Sequence, residues 1–509
     1  MLRIFAFASQ ISMETLLTSA AILTCVLFVV YDTWWRFLGT SGTLRGRNGF
    51  PVFGCFPLLG KNKERVFMNW SRTSYGPIYY ARLGASRVLV LNGYEAVREA
   101  LVLRPQAFAG RCKTELMKLL YEGQHGIMQL DHGPMWKAQR KFGQNALGSL
   151  GMGKRSLQSK IVNEFNCLSS TLEEELLANG SKGAYLDEML WLYAANVISL
   201  LIFNESFDPD NEKWFGAMRE NIRSHTARRE RFLYLLMYVP FLKNLPLVRQ
   251  QLNVTIQGRK TKLAKFKQFV ENHRQSRDPD DPRDFIDCYL NTMDSKSAND
   301  SFTEKQLLYF MNDLFIAGTE TSSNTNSWAL LLLLKNPEVM KRLRDEIDSL
   351  GREPTLEDEY KMPYTRAVMQ EIFRYRPALP CNIIPRKTTT SIELNGHSIP
   401  AGMPVIANLW SVHHDPVTWA PDPETFRPER HLNRDGEFMT SDHVMPFSVG
   451  LRSCIGRNLA RNELFIFLTS ILRRFNLEFA DGCYVDDMTG ESGLLLHPPP
   501  YKVKGSLRA

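Results

Sequence analysis

Apolar residues recur along most of this chain three and four positions apart, the spacing that gathers them on one side of an α-helix. That rhythm dominates from about residue 92 to 350. It breaks at RDPDDPRD (277–284) and at SKSAND (295–300), where proline and small polar residues predict surface loops. Strand-like runs are fewer. Ile78 to Leu83 and Arg87 to Leu91 form one pair around Gly84. Ile392–Leu394 and His397–Ile399 flank Asn395-Gly396, the dipeptide that most favours a two-residue hairpin turn. No repeat or low-complexity tract interrupts the pattern. It predicts a mainly α chain with small β-sheets, an α+β class built around one large helical body.

One helix is unusually long. Thr303 with Gln306 three places on reads as a capping box, and the helix ends before Asn336-Pro337. About 32 residues would measure roughly 48 Å. Gly318 interrupts its middle, in Ala317-Gly318-Thr319-Glu320-Thr321. A mid-helix glycine costs about 1 kcal/mol relative to alanine, which predicts that something approaches the backbone closely there. Phe310, Asp313, Leu314, Ala317 and Thr321 fall on one face of this helix.

The amino end follows a different pattern. Thr15 to Tyr31 is uncharged and mostly apolar, at the short end of the roughly 17–25 residues that span a bilayer. Trp34, Trp35 and then Arg36, Arg45 and Arg47 follow, an order that leaves the rest of the chain in the cytosol. No small-x-small site precedes Trp34, so residues 1–36 read as a retained signal-anchor rather than a cleaved leader, with Met13 an alternative start. Residues 37–60, with GFPVFGCFPLLG at 49–60, read as a Gly/Pro hinge, and 61–509 as the globular body. The apolar run Phe232–Leu242 is too short to span. It either dips into the membrane surface or belongs to the core.

Composition adds exclusions. The 62 basic and 54 acidic residues leave a net charge of +8, spread without a basic run or aromatic-basic repeat, so no nucleic-acid partner is expected. Eight cysteines lie far apart with no CxxC pair, which excludes a disulfide scaffold and a cysteine zinc site. One of them, Cys454, is nevertheless set in a pattern, MPFSVGLRSCIGRNLA (445–460). Phe447 lies seven before it and Arg452 two before. Gly450 and Gly456 leave room for a flat ligand near the backbone, and Arg452, Arg457 and Arg461 supply the positive surroundings a thiolate requires.

At this loop the sequence resembles the cytochrome P-450 haem-thiolate monooxygenases, whose matching cysteine gives its thiolate to haem iron. Further motifs carry the resemblance over nearly the whole chain. Trp136-Lys137-Ala138-Gln139-Arg140 matches W-x-x-x-R, and Ala317 to Thr321 matches A-G-x-[DE]-T. Glu371-Ile372-Phe373-Arg374 matches E-x-x-R, and Phe426 to Arg430 matches the segment that completes its network. The wording of WALLLLLKNPEV, MPYTRAV and HPPPYKV looks most like animal microsomal members, which act on steroids, fatty acids and foreign compounds.

The resemblance implies the cytochrome P-450 fold and haem b (iron protoporphyrin IX) held by Cys454. Trp136, Arg140, Arg386 and Arg452 would meet its propionates, while Phe447, Gly450, Gly456, Ala317 and Gly318 would lie against it. Thr321 and Glu320 would deliver protons, and Glu371, Arg374 and Arg430 would form a structural network. It further implies a single-pass endoplasmic reticulum protein with a cytosolic catalytic domain. Electrons would come from NADPH through a reductase flavoprotein, with cytochrome b5 as a second donor the resemblance allows. Lys137, Lys141 and Arg457 are candidates for docking that acidic partner, against an ordinary solvated patch.

Substrate contacts would come from residues 108–113, 310–316, 378–384 and 493–495, which are mostly apolar and so predict a lipophilic substrate. Asp313 either pairs with a cationic substrate or is a buried carboxylate satisfied by backbone amides. Leu451 and His431 depart from the family's usual basic and aromatic residues, and the hinge has only Pro51 and Pro57. These bear on docking and hinge stiffness rather than on haem. Two rival functions remain: a haem-thiolate isomerase or dehydratase acting on a peroxide without external electrons, and a non-catalytic membrane-anchored haem-binding protein.

Overall fold

The computed structural model describes residues 13–38, 44–122, 125–150, 155–207, 227–295, 300–382 and 384–508. The loop expected at 295–300 lies largely outside them. Strands β1 (Gly46–Arg47), β2 (Ile78–Leu83), β3 (Ser86–Asn92), β4 (Gly110–Arg111), β5 (Arg386–Lys387), β6 (Ile392–Leu394), β7 (His397–Ile399) and β8 (Pro404–Asn408) make the main sheets. Six of them join in the order β1-β2-β3-β8-β5-β4. The predicted β2–β3 pair is antiparallel, and β3 continues into β8 in parallel. The β6–β7 hairpin turns on Asn395 and Gly396, both at positive φ (48° and 73°), as the two-residue turn requires. A separate antiparallel pair joins Phe475–Phe479 to Val503–Leu507, and most of the remaining described chain is helical.

The central helix spans Glu304–Lys335, and the Thr303 hydroxyl caps it by accepting from the Gln306 amide. The reciprocal half of the capping box is absent, because the Gln306 side chain accepts from the Gly126 amide instead (3.0 Å). The helix packs against the helices Asp187–Ile202, Pro246–Ser276 and Arg457–Arg474 and is buried on most of its surface. The predicted close approach at Gly318 is a helix contact: a Cβ there would lie 2.8 Å from Ile198 Cγ1.

Two stretches assigned from composition take their place in the body. Within the segment read as a hinge, β1 pairs with β2, and Cys55 and Leu59 are buried. In Phe232–Leu242, the side chains of Tyr234, Leu236, Met237, Tyr238 and Val239 are buried in the second core cluster, so the middle of this run is core, while Phe241 near its end is exposed. At the amino end, Met13–Leu38 is helical, and its apolar residues from Ile22 to Val30 are exposed. Among the described residues no helix is long and apolar enough to cross a membrane. In this helix side chains are described only from Thr18 to Tyr31, a stretch that rises about 21 Å against a hydrocarbon core of roughly 30 Å.

A buried carboxylate ties the helix Pro363–Tyr375 to the loops beneath Cys454. Glu371 Oε1 accepts from Arg374 Nη2 (2.8 Å), the Arg427 amide (2.9 Å) and Arg430 Nε (3.0 Å). Its Oε2 accepts from Arg374 Nε (2.7 Å) and His431 Nε2 (2.9 Å). Arg374 in turn donates to the carbonyls of His413, Pro423 and Thr425. His431, the departure noted in the sequence, is thus a fourth member of the network. Its Nδ1 accepts from Gln370, so it is the neutral tautomer with the proton on Nε2.

Two outcomes follow. Gly318→Ala adds about 1 kcal/mol of helix propensity but overpacks Ile198 at about 1–3 kcal/mol, so a denaturant titration should show a net loss of up to about 2 kcal/mol. Combining it with Ile198→Ala should show a favourable coupling energy. Glu371→Gln should cost about 3–5 kcal/mol, because it strands two buried guanidinium groups. Burial alone would raise the Glu371 carboxyl, but Arg374 and His431 hold it down at about 2 against an ordinary 4.5. A lowered acid stabilises the fold above its unfolded pKa. That contribution, about 3 kcal/mol, should therefore vanish between pH 4.5 and 2 in wild type and be missing in Glu371→Gln.

Candidate active site

A single cavity lies between the central helix and the loop before the helix Arg457–Arg474, and it brings together residues from across the chain. Cys454 is on its proximal side. The loop is pinned by the Cys454 amide donating to the Phe447 carbonyl (2.9 Å), and the cysteine side chain is exposed toward the cavity. Enclosure by the cavity walls pushes the thiol up, opposed by the Gly456 amide and by the charges of Arg457 and Arg140. Phe447 lines the same side, with its ring edge-on to Phe373 at 5.1 Å. Gly456 lies beside the sulfur: a Cβ there would be 3.9 Å from Sγ. Gly450 has a different reason from the one expected. Its φ is +74°, and a Cβ would collide with the Leu101 carbonyl, so the close approach is to protein.

The opposite wall is one face of the central helix. Asp313, Leu314, Ala317, Gly318 and Thr321 line it, and Ala317 is exposed to the cavity. Phe310, expected on this face, instead packs into the core at 5.0 Å from Phe285. The Thr321 hydroxyl donates to the Ala317 carbonyl (2.6 Å). Glu320 is adjacent in sequence but is not part of the wall. Burial and the nearby Glu230 push its carboxyl up to about 7, against the pull of His497 and Lys262.

Four guanidinium groups crowd one end of the cavity. Arg140 donates to Ser453 O (2.8 Å) and lies over the Trp136 ring. Arg386 donates to Ser448 Oγ (3.0 Å). Arg452 donates to the carbonyls of Ala109 and Leu130 and lies 4.1 Å from the centre of the Trp136 ring. Arg111 donates to Met128 O and Ile384 O. Burial lowers all four, and with the repulsion of neighbouring arginines added Arg386 falls to about 9 and Arg452 to about 8. Asp131, the nearby carboxylate, already accepts from Lys387 (2.9 Å). Such a cluster fits a ligand carrying more than one carboxylate. A flat dianionic group between Cys454 and Ala317 meets that requirement, so the residues present fit haem and its two propionates.

Sequence reasoning missed Arg111, which stood within 108–113 only as a substrate contact. It also missed Ser322 and Glu463, which line the cavity from two helices. Ser322 donates to Glu463 Oε2 (2.8 Å), and burial pushes the Glu463 carboxyl up to about 8, leaving it neutral at pH 7. Continuing the step of three and four from Leu314 would have reached Ser322 and Thr325. No local signal pointed to Glu463. Residues 378–384 do supply wall, through Ala378, Leu379 and Ile384. Residues 493–495 do not, because the amides of Leu494 and Leu495 turn to Glu230 Oε2.

Asp313 is decided by its partners. Tyr121 donates to Oδ1 and the Met128 amide to Oδ2, each at 2.9 Å, and burial pushes the carboxyl up to about 6. It is a satisfied buried carboxylate, not a counter-ion waiting for a cation. Lys137, Lys141 and Arg457 are all exposed, outside the cavity.

Known proteins resemble this chain in sequence over most of its length. The family model described as Cytochrome P450 matches residues 44–505. Cytochrome P450 2C39 of Mus musculus is 35% identical over 96% of this chain and 99% of its own length. Cytochrome P450 2C8 of Homo sapiens is 34% identical over 94% of this chain and 97% of its own. Cytochrome P450 2U1 of Mus musculus is 32% identical over 96% of each. The chain belongs to the cytochrome P450 family, and is a haem-thiolate monooxygenase whose cofactor is haem b.

Proposed function

We propose that this monooxygenase is anchored in the endoplasmic reticulum membrane by residues 1–36, receives NADPH electrons through a reductase, and oxidises a lipophilic substrate. The observation that carries the reading is the pairing of Cys454 with Ala317 and Thr321 across a cavity ringed at one end by Arg111, Arg140, Arg386 and Arg452. Haem b, when bound, supplies the activation of dioxygen.

The chain's own residues do the rest. Cys454 is the iron ligand, and the Gly456 amide and the Arg457 and Arg140 charges oppose the burial that pushes its thiol up. Arg140, Arg386 and Arg452, with Arg111, neutralise the propionates, and Trp136 holds two of these guanidinium groups in place through its ring. Leu314, Ile198 and Leu379 give the remaining wall its apolar character, which suits a lipophilic guest and excludes water. Thr321 holds a proton on Oγ1 at the edge of that space, parked against the Ala317 carbonyl. Glu320, with a carboxyl near 7, exchanges protons at working pH and recharges the hydroxyl. Lys137, Lys141 and Arg457 offer positive charge to an acidic electron donor, either the reductase or cytochrome b5. Apolar Thr15–Tyr31 and the tryptophans after it support the anchor.

Purified protein with NADPH and reductase should convert lipophilic compounds with matched oxygen consumption. Turnover of a hydroperoxide with no electron source, and none with reductase, would overturn the reading in favour of an isomerase. Cys454→Ala should abolish the thiolate-type Soret band of the reduced carbonyl complex. Thr321→Ala should keep that band but lower product formation by about 10²-fold, the scale of a lost proton-transfer group, with oxygen diverted to peroxide.

A further inference from the structure

An open groove of about 480 Å³ lies beside the carboxy-terminal strand Val503–Leu507 and shares no residue with the haem cavity. Tyr185 and Tyr484 line it and are 55% and 85% exposed, and Pro500 and Tyr501 add to its apolar part. Tyrosines left this open in one concave surface are characteristic of places where proteins meet. Lys182 and Lys502 line the same groove, and neither is ion-paired with a described residue. Lys502 Nζ lies 4.9 Å from the centre of the Tyr185 ring. The groove also holds Asp481, but that carboxylate is taken by Lys504 (2.6 Å). The unpaired charge of the groove is therefore positive.

The complementary surface is on the same chain. The loop predicted from RDPDDPRD exposes Asp278, Asp280 and Asp281, and none of them is ion-paired with a described residue. Its two arginines are already engaged, Arg277 by Asp294 and Arg283 by Asp287. The backbone makes a β-turn at its tip. The Asp281 amide donates to the Asp278 carbonyl (3.3 Å), with Pro279 at the second position that such turns favour. Bonds from beneath fix this turn: Asn291 Nδ2 donates to Pro279 O (2.7 Å), and Arg277 Nη1 to Asn291 Oδ1 (3.1 Å). At its base, buried His273 is bonded to Asp284 (2.7 Å). A segment already ordered loses little freedom when it is bound. It presents three carboxylates to match two lysines, and two prolines to match two tyrosine rings. Groove and turn are both exposed in the single chain, so they can meet only between copies.

We propose that the groove of one copy receives the 278–282 turn of a second copy, with Lys182 and Lys502 facing Asp278, Asp280 and Asp281. The two patches differ, so the contact is head to tail and leaves one groove and one turn free for further copies. A contact this small is transient rather than obligate, and its charge pairing makes it sensitive to salt. It goes beyond the reaction and does not depend on what the cavity holds.

The test is analytical ultracentrifugation of the full-chain holoenzyme in detergent micelles, at about 1 to 100 µM, where weak contacts become measurable. Wild type should associate reversibly, and raising salt should weaken that association. Lys182→Glu with Lys502→Glu, and separately Asp280→Lys with Asp281→Lys, should each raise the dissociation constant roughly tenfold or more. An equimolar mixture of those two variants should associate again, because each then offers a charge opposite to the other's. Tyr484→Ala should weaken wild-type association while leaving the reduced carbonyl band unchanged, and that band reports an intact fold in every sample. A wild type that stays monomeric throughout overturns the inference, and the groove then serves an acidic partner of another kind. Association that persists in both charge-reversed variants overturns it too, because another surface then joins the copies. So does a mixture of folded variants that fails to associate.

Discussion

A carboxylate taken wholly out of water holds this structure together around its cysteine. Buried ionised Glu371 is tolerable only if every lone pair finds a donor, and five donors from four residues meet it. Those donors lie on segments that would otherwise be long irregular connections, so the demand of one charge organises the chain from Arg427 to His431. The ordering continues toward the sulfur. Arg374 donates to the His413 carbonyl, and His413 Nε2 accepts from the Met445 amide, where the cysteine loop begins. Burial lowers the His413 imidazole to about 3, which keeps it neutral and able to accept. The loop thus takes its shape from a network on the side away from the cavity.

How far the sequence could be read depended on whether each feature is local. The Thr303 cap, the Asn395-Gly396 turn, β2 and β3 and the loop around Cys454 rest on residues a few positions apart, and all were legible. Features made by distant segments were not. Gly450 looked like space for a flat ligand, but the Leu101 carbonyl occupies that direction. Phe310 has the spacing of a cavity residue, yet its ring packs edge-on to Phe285 in the core. Apolar composition alone could not separate membrane from core for Phe232–Leu242, since both solvents reward the same side chains.

Arg111 and Glu463 show a second limit. A lone arginine in a short strand and a lone glutamate in a helix carry no periodic or motif signal. Their meaning appears only when folding brings Arg111 beside Arg386 and Arg452, and Glu463 beside Ser322. The family resemblance located the residues that the motifs name. It was silent about partners that belong to this particular packing, such as His431 beside Glu371.

The four guanidinium groups also bear on how the protein persists in a cell. Crowded at one end of the cavity these like charges repel one another, with Asp131 as the nearby carboxylate, and a dianion bound there would offset that repulsion. A ligand that binds only the folded chain adds to its stability by mass action, about 1.4 kcal/mol for each tenfold excess over its dissociation constant. Chain made faster than cofactor would therefore stand nearer its unfolding threshold than chain made in step with it. The arginine cluster thereby couples the stability of the fold to binding of its cofactor.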